Sequence, residues 1–92
     1  MGQSSRARQD IVEILKWIAK DDPMAARVLA RKIDEATDLL TANKHMGQPR
    51  PDLGEGLRSF VVSRYMIVYQ PDDNGVHVIR VLHSSRDITA LL

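Results

Sequence analysis

The apolar residues of this chain change their spacing once, on either side of a stretch rich in glycine and proline. Before that stretch they recur every three or four positions, which is the period of an α-helix with one buried face. After it they alternate or run continuously over short segments, which is typical of β-strands. The stretch itself, residues 47–56, contains three glycines and two prolines and predicts an irregular surface loop. Helices followed by strands indicate an α+β protein.

Two helices are predicted before the loop. The buried face of the first is predicted to consist of Ala7, Ile11, Ile14, Leu15 and Ile18. Ser4 or Ser5 can provide its N-cap. Asp22 and Pro23 predict that one helix stops and the next begins, since aspartate caps a helix and proline fits its first turn. Small and branched residues between 26 and 40 form one stripe of the second helix, so the two helices should pack as an antiparallel hairpin. Their charged residues are predicted to face solvent.

Three strands are predicted after the loop, over residues 57–63, 65–69 and 76–83. The second is apolar throughout, which favours a central position in the sheet. Residues 71–75 end in Asn-Gly, the signal of a hairpin turn. Residues 84–92 are predicted to form a short capped helical turn or a docked tail. The expected architecture is an antiparallel helix hairpin on one face of a three-stranded or four-stranded antiparallel sheet.

Composition limits the class of protein and its partners. With 92 residues the chain is predicted to be one domain over 1–92. It has no cysteine and its three histidines lie far apart, so neither a metal site nor a cofactor is expected. No apolar run reaches the length needed to cross a membrane, and a reducing cytoplasm is the expected location. After Met46 the positive charge is carried by five arginines and no lysine. Arginine binds phosphate and carboxylate well but cannot serve as a base.

Several stretches resemble the RelE/ParE toxin superfamily, and its ParE branch more closely. Residues 5–19 and 23–26 are similar to the starts of the family's two helices. More specific are residues 46–58 and 65–69, which resemble the family's loop and the strands behind it. The most specific stretch is IRVLHSSRDI at residues 79–88, which looks like the ending shared by these toxins. The likeness covers nearly the whole chain.

The resemblance implies the toxin of a type II toxin–antitoxin system, neutralised by a cognate antitoxin in a hetero-oligomer. ParE-like members inhibit DNA gyrase by binding it, without cutting RNA. Family members usually begin with a β-strand, whereas only residues 1–3 precede the first helix cap here. The resemblance therefore implies either a strand reduced to a stub or a start of the natural chain further upstream. A reduced strand would leave one edge of the sheet less covered.

Six residues are predicted to form the surface that binds the target or the antitoxin. They are Trp17, Arg58, Arg64, Arg80, His83 and Arg86. Arg58 and Arg80 are expected on one face of the sheet. Either of them could instead pair with Asp52, Glu55 or Asp87 and only pin the loop or the tail. Trp17 lies off the apolar stripe of its helix and is interpreted either as a contact residue or as a shield over the flank of the hairpin.

An endoribonuclease of the RelE type, acting on ribosome-bound messenger RNA, is the alternative to a gyrase inhibitor. It would use Arg58, Arg80 and Arg86 to hold the phosphate and His83 as acid or base. The loop and strands contain no lysine, and no tyrosine follows His83, so proton carriers are few. Tyr65 and Tyr69 are assigned to packing. The sequence therefore favours a protein that is not an enzyme. A third alternative is a non-toxic relative that binds the antitoxin as a corepressor.

Overall fold

The computed structural model describes residues 2–85. Its elements in chain order are β1 (Gly2–Gln3), α1 (Ser5–Asp21), α2 (Pro23–Ala42), β2 (Gln48–Pro49), β3 (Arg58–Val62), β4 (Tyr65–Asp72) and β5 (Gly75–His83). Over this range, neither helix combines the length and the apolar character that a membrane span requires. Of the predicted tail, Arg86 and the residues that follow it lie outside the described residues.

The two helices begin where the sequence predicts. Ser4 caps α1, and its hydroxyl accepts a hydrogen bond from the backbone N–H of Ala7 at 3.0 Å. Asp22 caps α2 in the same way, accepting from the backbone N–H of Ala25 at 3.1 Å, and Pro23 occupies the first turn. Each cap satisfies an N–H that has no partner inside the helix. The predicted hairpin is therefore confirmed.

The described residues form one sheet of five strands in the order β1-β5-β4-β3-β2. The sequence predicted three or four, and both additional strands are only two residues long. β1 pairs with β5 in parallel and is the predicted stub. β2 pairs antiparallel with β3 at the register Gln48↔Ser59, so the prediction of an irregular loop is wrong at this point. β4 is central, as its continuous apolar sequence predicts.

The two faces of the sheet are covered differently. Both helices pack on one face, and the core there includes the buried residues Leu29, Ile33, Leu40, Ile67, Tyr69 and Val81. On the other face, Val68 and Leu82 form a smaller buried cluster. Leu53 and Leu57 of the loop before β3 pack against that cluster. The helix-covered face thus contains most of the hydrophobic stabilisation.

β5 is irregular where it passes the end of β1. Tyr69 is paired with Val78 and Val68 with Arg80, which leaves Ile79 as an extra residue between them. Ser4, just after β1, continues the pairing: its backbone N–H donates to the carbonyl of Val78 at 2.9 Å, and its hydroxyl donates to the carbonyl of Ile79 at 2.7 Å. Beyond this bulge no strand of residues 2–85 flanks the outer edge of β5, and α1 lies alongside it instead.

Candidate functional site

A groove of about 600 Å³ lies between α1 and the C-terminal part of β5. It forms because β1 ends before this part of β5 and a helix cannot follow a strand edge closely. The wall on α1 contributes Asp10, Glu13, Ile14 and Trp17. The wall on the sheet contributes Tyr65, Arg80, Val81 and His83. Three residues of the predicted surface, Trp17, Arg80 and His83, therefore meet in one place.

Asp10 and Arg80 form an ion pair at the base of the groove. Arg80 Nε donates to Asp10 Oδ2 at 2.7 Å, and Arg80 Nη2 donates to Asp10 Oδ1 at 3.0 Å. The backbone N–H of Val81 also donates to Asp10 Oδ2, at 3.0 Å. Both charged side chains are only 11% exposed. The carboxylate of Asp10 thus accepts hydrogen bonds both from the Arg80 guanidinium and from the backbone of β5. These contacts join α1 to the sheet.

This pair corrects one sequence prediction and adds a partner that a second one did not include. Asp10 was expected on a solvated helix face, but it is half-buried because α1 lies along the open edge of β5. Arg80 was expected to bind a target or to pair with an acidic residue of the loop or tail, and Asp10 was not among those candidates. Hydrogen bonding to Asp10, together with the negative charge of that carboxylate, raises the pKa of Arg80 further above its already high value. Arg80 is therefore permanently charged.

His83 and Tyr65 lie side by side at the end of the groove. Their ring centroids are 5.4 Å apart and the rings are nearly perpendicular. The backbone N–H of Ser85 points to His83 Nδ1 at 3.2 Å, and Ser85 Oγ lies 2.6 Å from the same nitrogen. Nδ1 therefore acts as an acceptor, which places the proton of the neutral ring on Nε2. Tyr65, predicted to serve packing alone, also lines the groove.

Trp17 forms the outer rim of the groove. Its side chain is 71% exposed, so it does not shield the flank of the hairpin. Lys20, one turn further along α1, places Nζ 5.6 Å from the centroid of the Trp17 ring. A large aromatic side chain held at the rim of a groove is the type of residue that anchors protein partners.

Arg58 lies apart from this groove and is bound to the loop after α2. Its Nη1 donates to the backbone carbonyls of His45 at 2.9 Å and Gly47 at 2.7 Å. Tyr69 holds the same loop, since its buried hydroxyl accepts from the N–H of Gly47 at 2.8 Å and donates to the carbonyl of Lys44 at 3.1 Å. The expected cluster of Arg58 with Arg80 is wrong, because the loop engages the first and α1 engages the second.

Arg64 is exposed in the turn between β3 and β4, close to one end of the groove. Its backbone carbonyl accepts hydrogen bonds from the N–H of Ser84 at 2.9 Å and from the hydroxyl of Ser84 at 3.0 Å. The turn therefore fixes the chain directly after His83, while the guanidinium of Arg64 remains at the surface. Arg64 is an exposed cation of the predicted set, whereas Arg58 is engaged with backbone carbonyls.

Arg50, which no sequence pattern indicated as a site residue, pins the loop to the far face of the sheet. Its Nε and Nη2 bind the carboxylate of Asp52 at 3.0 and 2.8 Å, and its Nη1 points to Ser59 Oγ at 3.3 Å. Hydrogen bonding to Arg50 lowers the pKa of Asp52. Asp52 therefore stays ionised and engaged away from the groove. Within residues 2–85, no three potential metal ligands come together.

Comparisons with known proteins found a family, a curated relative and solved structures that this chain resembles. Residues 3–88 match the family described as ParE toxin of type II toxin-antitoxin system, parDE. The chain is 33% identical over 81 residues to Toxin RelE1 of Caulobacter vibrioides, which covers 87% of each chain. It also resembles a solved chain of the chromosomal ParDE TA system from P. aeruginosa, with a TM-score of 0.73 and 17% identity over 89% of this chain and 91% of that one. The family match includes both walls of the groove.

Proposed function

This chain belongs to the ParE toxin family of type II toxin–antitoxin systems, within the RelE/ParE superfamily, and from that premise we propose that it arrests growth by binding DNA gyrase. In this proposal it acts on a protein, cuts no RNA, and is neutralised by a cognate antitoxin. The observation that carries the choice of a protein target is the Asp10–Arg80 ion pair, with both side chains 11% exposed.

The charge of the groove supports a protein target over RNA. A ribonuclease needs cations directed at the scissile phosphate, because negative charge accumulates there in the transition state. Arg80 directs two of its N–H groups at Asp10, and Glu13 adds a second carboxylate to the same wall. Two carboxylates thus face one guanidinium among the described lining residues, a balance that repels a phosphodiester. A protein segment without phosphate groups is not repelled in this way.

A ribosome-dependent endoribonuclease remains the second candidate because of His83 and Tyr65. The two rings are 5.4 Å apart in the groove, so a potential acid–base group has a phenol beside it. The sequence alone did not indicate this arrangement, since the tyrosine was expected to pack in the core. Among the described lining residues the guanidinium is that of Arg80, which is directed at Asp10, so His83 and Tyr65 account for only half of the chemistry there.

We also propose that a segment of the antitoxin occupies the groove. The P. aeruginosa neighbour comes from a ParDE TA system, and this chain shares its fold. Trp17 at the rim, Ile14 on the wall and Tyr65 at the end offer apolar contacts to such a segment. Its docking would also cover His83. Burial of an exposed tryptophan is a common source of affinity at protein interfaces.

Replacing Trp17 by Ala is expected to weaken antitoxin binding by about 2 kcal/mol or more, the usual size for an aromatic anchor. The free energy of unfolding should change by less than about 0.5 kcal/mol, because the side chain is 71% exposed. Val12→Ala is the matched control, since Val12 is exposed on α1 but does not line the groove. Calorimetric titration with the purified antitoxin measures both variants. If Trp17→Ala and Val12→Ala bound the antitoxin with equal affinity, the groove could not be the antitoxin-binding site.

Induced expression in bacterial cells separates the two targets. We expect growth arrest accompanied by DNA breaks and relaxed plasmid, with full-length messages. Primer extension on several translated messages and plasmid topology on chloroquine gels provide the two readouts. Cuts at fixed codon positions with normally supercoiled plasmid would instead identify the ribosomal nuclease. If induced expression did not slow the growth of the cells, this would support the third alternative, a non-toxic corepressor.

A further inference from the structure

The Asp10–Arg80 pair also determines which ligands the groove can accept, an inference that rests on the proposed function, in which the groove meets protein. We propose that Asp10 is a specificity-determining residue, which excludes phosphate groups by keeping the Arg80 guanidinium bound to itself. Phosphate is the chemical group that would distinguish RNA from protein at this site. Asp10 therefore acts through Arg80 and is not itself a contact for the target.

The geometry of the pair carries the first step. Arginine binds phosphate most strongly through two parallel N–H groups on one edge of the guanidinium. In Arg80 that edge is formed by Nε and Nη2, which already donate to Asp10 Oδ2 and Oδ1 at 2.7 and 3.0 Å. Asp10 thus occupies the place of a phosphate. Because both side chains are 11% exposed, neither can turn away without rearranging the groove.

Asp10 is held in place independently of Arg80. The backbone N–H of Val81 donates to Asp10 Oδ2 at 3.0 Å, at a point where β5 has no neighbouring strand on this edge among the described residues. A phosphate could reach this edge of Arg80 only by displacing a carboxylate that the Val81 N–H also holds, so the contacts of Asp10 to both groups would have to break. The exclusion is therefore built into the contact between α1 and β5.

Glu13 reinforces the effect from the next turn of α1. It lines the same wall, and its Oε1 accepts a hydrogen bond from the side chain of Gln9 at 3.2 Å. This residue offers a matched control, since its replacement by glutamine removes one negative charge from the groove and leaves the Asp10–Arg80 pair intact. A comparison of the two carboxylates separates the loss of the pair from a general change in charge.

The test measures binding of inorganic pyrophosphate to the purified full chain. Trp17, the single tryptophan of the chain, lies in the groove and reports occupancy by fluorescence, and calorimetry gives an independent Kd. The wild-type protein should bind pyrophosphate weakly, and Glu13→Gln should raise the affinity far less than Asp10→Asn does, because it lowers the negative charge but leaves the Asp10–Arg80 pair in place. Asp10→Asn should bind pyrophosphate at least about tenfold more tightly, the gain expected from a charge-assisted contact to the Nε–Nη2 edge that the Asp10 carboxylate occupies in the wild-type protein. The double variant Asp10→Asn/Arg80→Gln should lose this gain.

Two results would overturn the proposal: an unchanged Kd in Asp10→Asn, or an equal gain in Glu13→Gln. If circular dichroism shows that Asp10→Asn is unfolded, a measurement on the wild-type protein decides the question. This measurement needs no variant: pyrophosphate should leave the Arg80 Nε–H resonance of the wild-type protein in place, and a shift at low millimolar concentration would contradict the account. These readouts are independent of gyrase and of growth, so failure here and failure of the proposed function can be told apart.

Discussion

Asp10→Ala is expected to lower the free energy of unfolding by about 3–5 kcal/mol, the usual cost of removing one partner from a buried ion pair. The substitution takes the carboxylate away from a guanidinium that is 11% exposed. It also deprives the backbone N–H of Val81 of its acceptor. Domains of this size unfold at a cost of about 5–15 kcal/mol, so a large part of the total stability is at stake. Urea unfolding followed by circular dichroism measures the change.

The control for this variant is the exposed pair of Arg31 and Glu35 on α2. Their closest atoms are 4.0 Å apart, and the two side chains are 69% and 71% exposed. Glu35→Ala should therefore change the free energy of unfolding by no more than about 0.5 kcal/mol. If Asp10→Ala proved as mild as Glu35→Ala, the pair could not be the contact that joins α1 to β5.

Gly47→Ala is expected to lower the free energy of unfolding by about 2–6 kcal/mol, from overpacking together with the loss of hydrogen bonds. A Cβ at this position would overlap the hydroxyl of Tyr69 and lie 2.8 Å from the carbonyl oxygen of Ser59. Neither neighbour can yield easily, because the tyrosine is fully buried and the carbonyl belongs to β3. Overpacking of this kind costs about 1–3 kcal/mol. Displacement of the Tyr69 hydroxyl from its two backbone partners adds about 1–3 kcal/mol.

A double-mutant cycle checks this explanation. Tyr69→Phe removes the hydroxyl and should destabilise the protein on its own. In the double variant with Gly47→Ala, the combined effect should be smaller than the sum of the two, because the same contact is lost in both. Full additivity would mean that the cost of alanine arises elsewhere. Amide hydrogen exchange of residues 44–49 should accelerate in each single variant, since the loop loses its anchor.

The sequence predicted the parts of this fold that depend on local chemistry. Ser4, Asp22 and Pro23 act on their own helices within one turn, so their roles follow from the order of residues alone. The continuous apolar run of residues 65–69 likewise indicated a central strand. The loop and the ending at residues 79–88 were specific enough to indicate the toxin superfamily, which the family match confirms.

The groove could be predicted only in part, because its contacts are distant in sequence. Asp10 and Arg80 are 70 positions apart, and nothing near either residue indicates the other. Arg58 was assigned to a functional surface because arginine suits phosphate, but it binds the carbonyls of His45 and Gly47. Backbone carbonyls are present at every position and leave no signal in a sequence. The position of Tyr65 beside His83 depends on strand register, which the sequence does not fix to one residue.

A supercoiling assay with purified DNA gyrase tests the central claim most directly. The purified chain should inhibit supercoiling of relaxed plasmid and trap cleaved DNA, and prior addition of the antitoxin should abolish both effects. A ribosome-programmed messenger RNA incubated with the same preparation should stay intact. Undiminished supercoiling at saturating protein, together with cleavage of that message, would contradict the account.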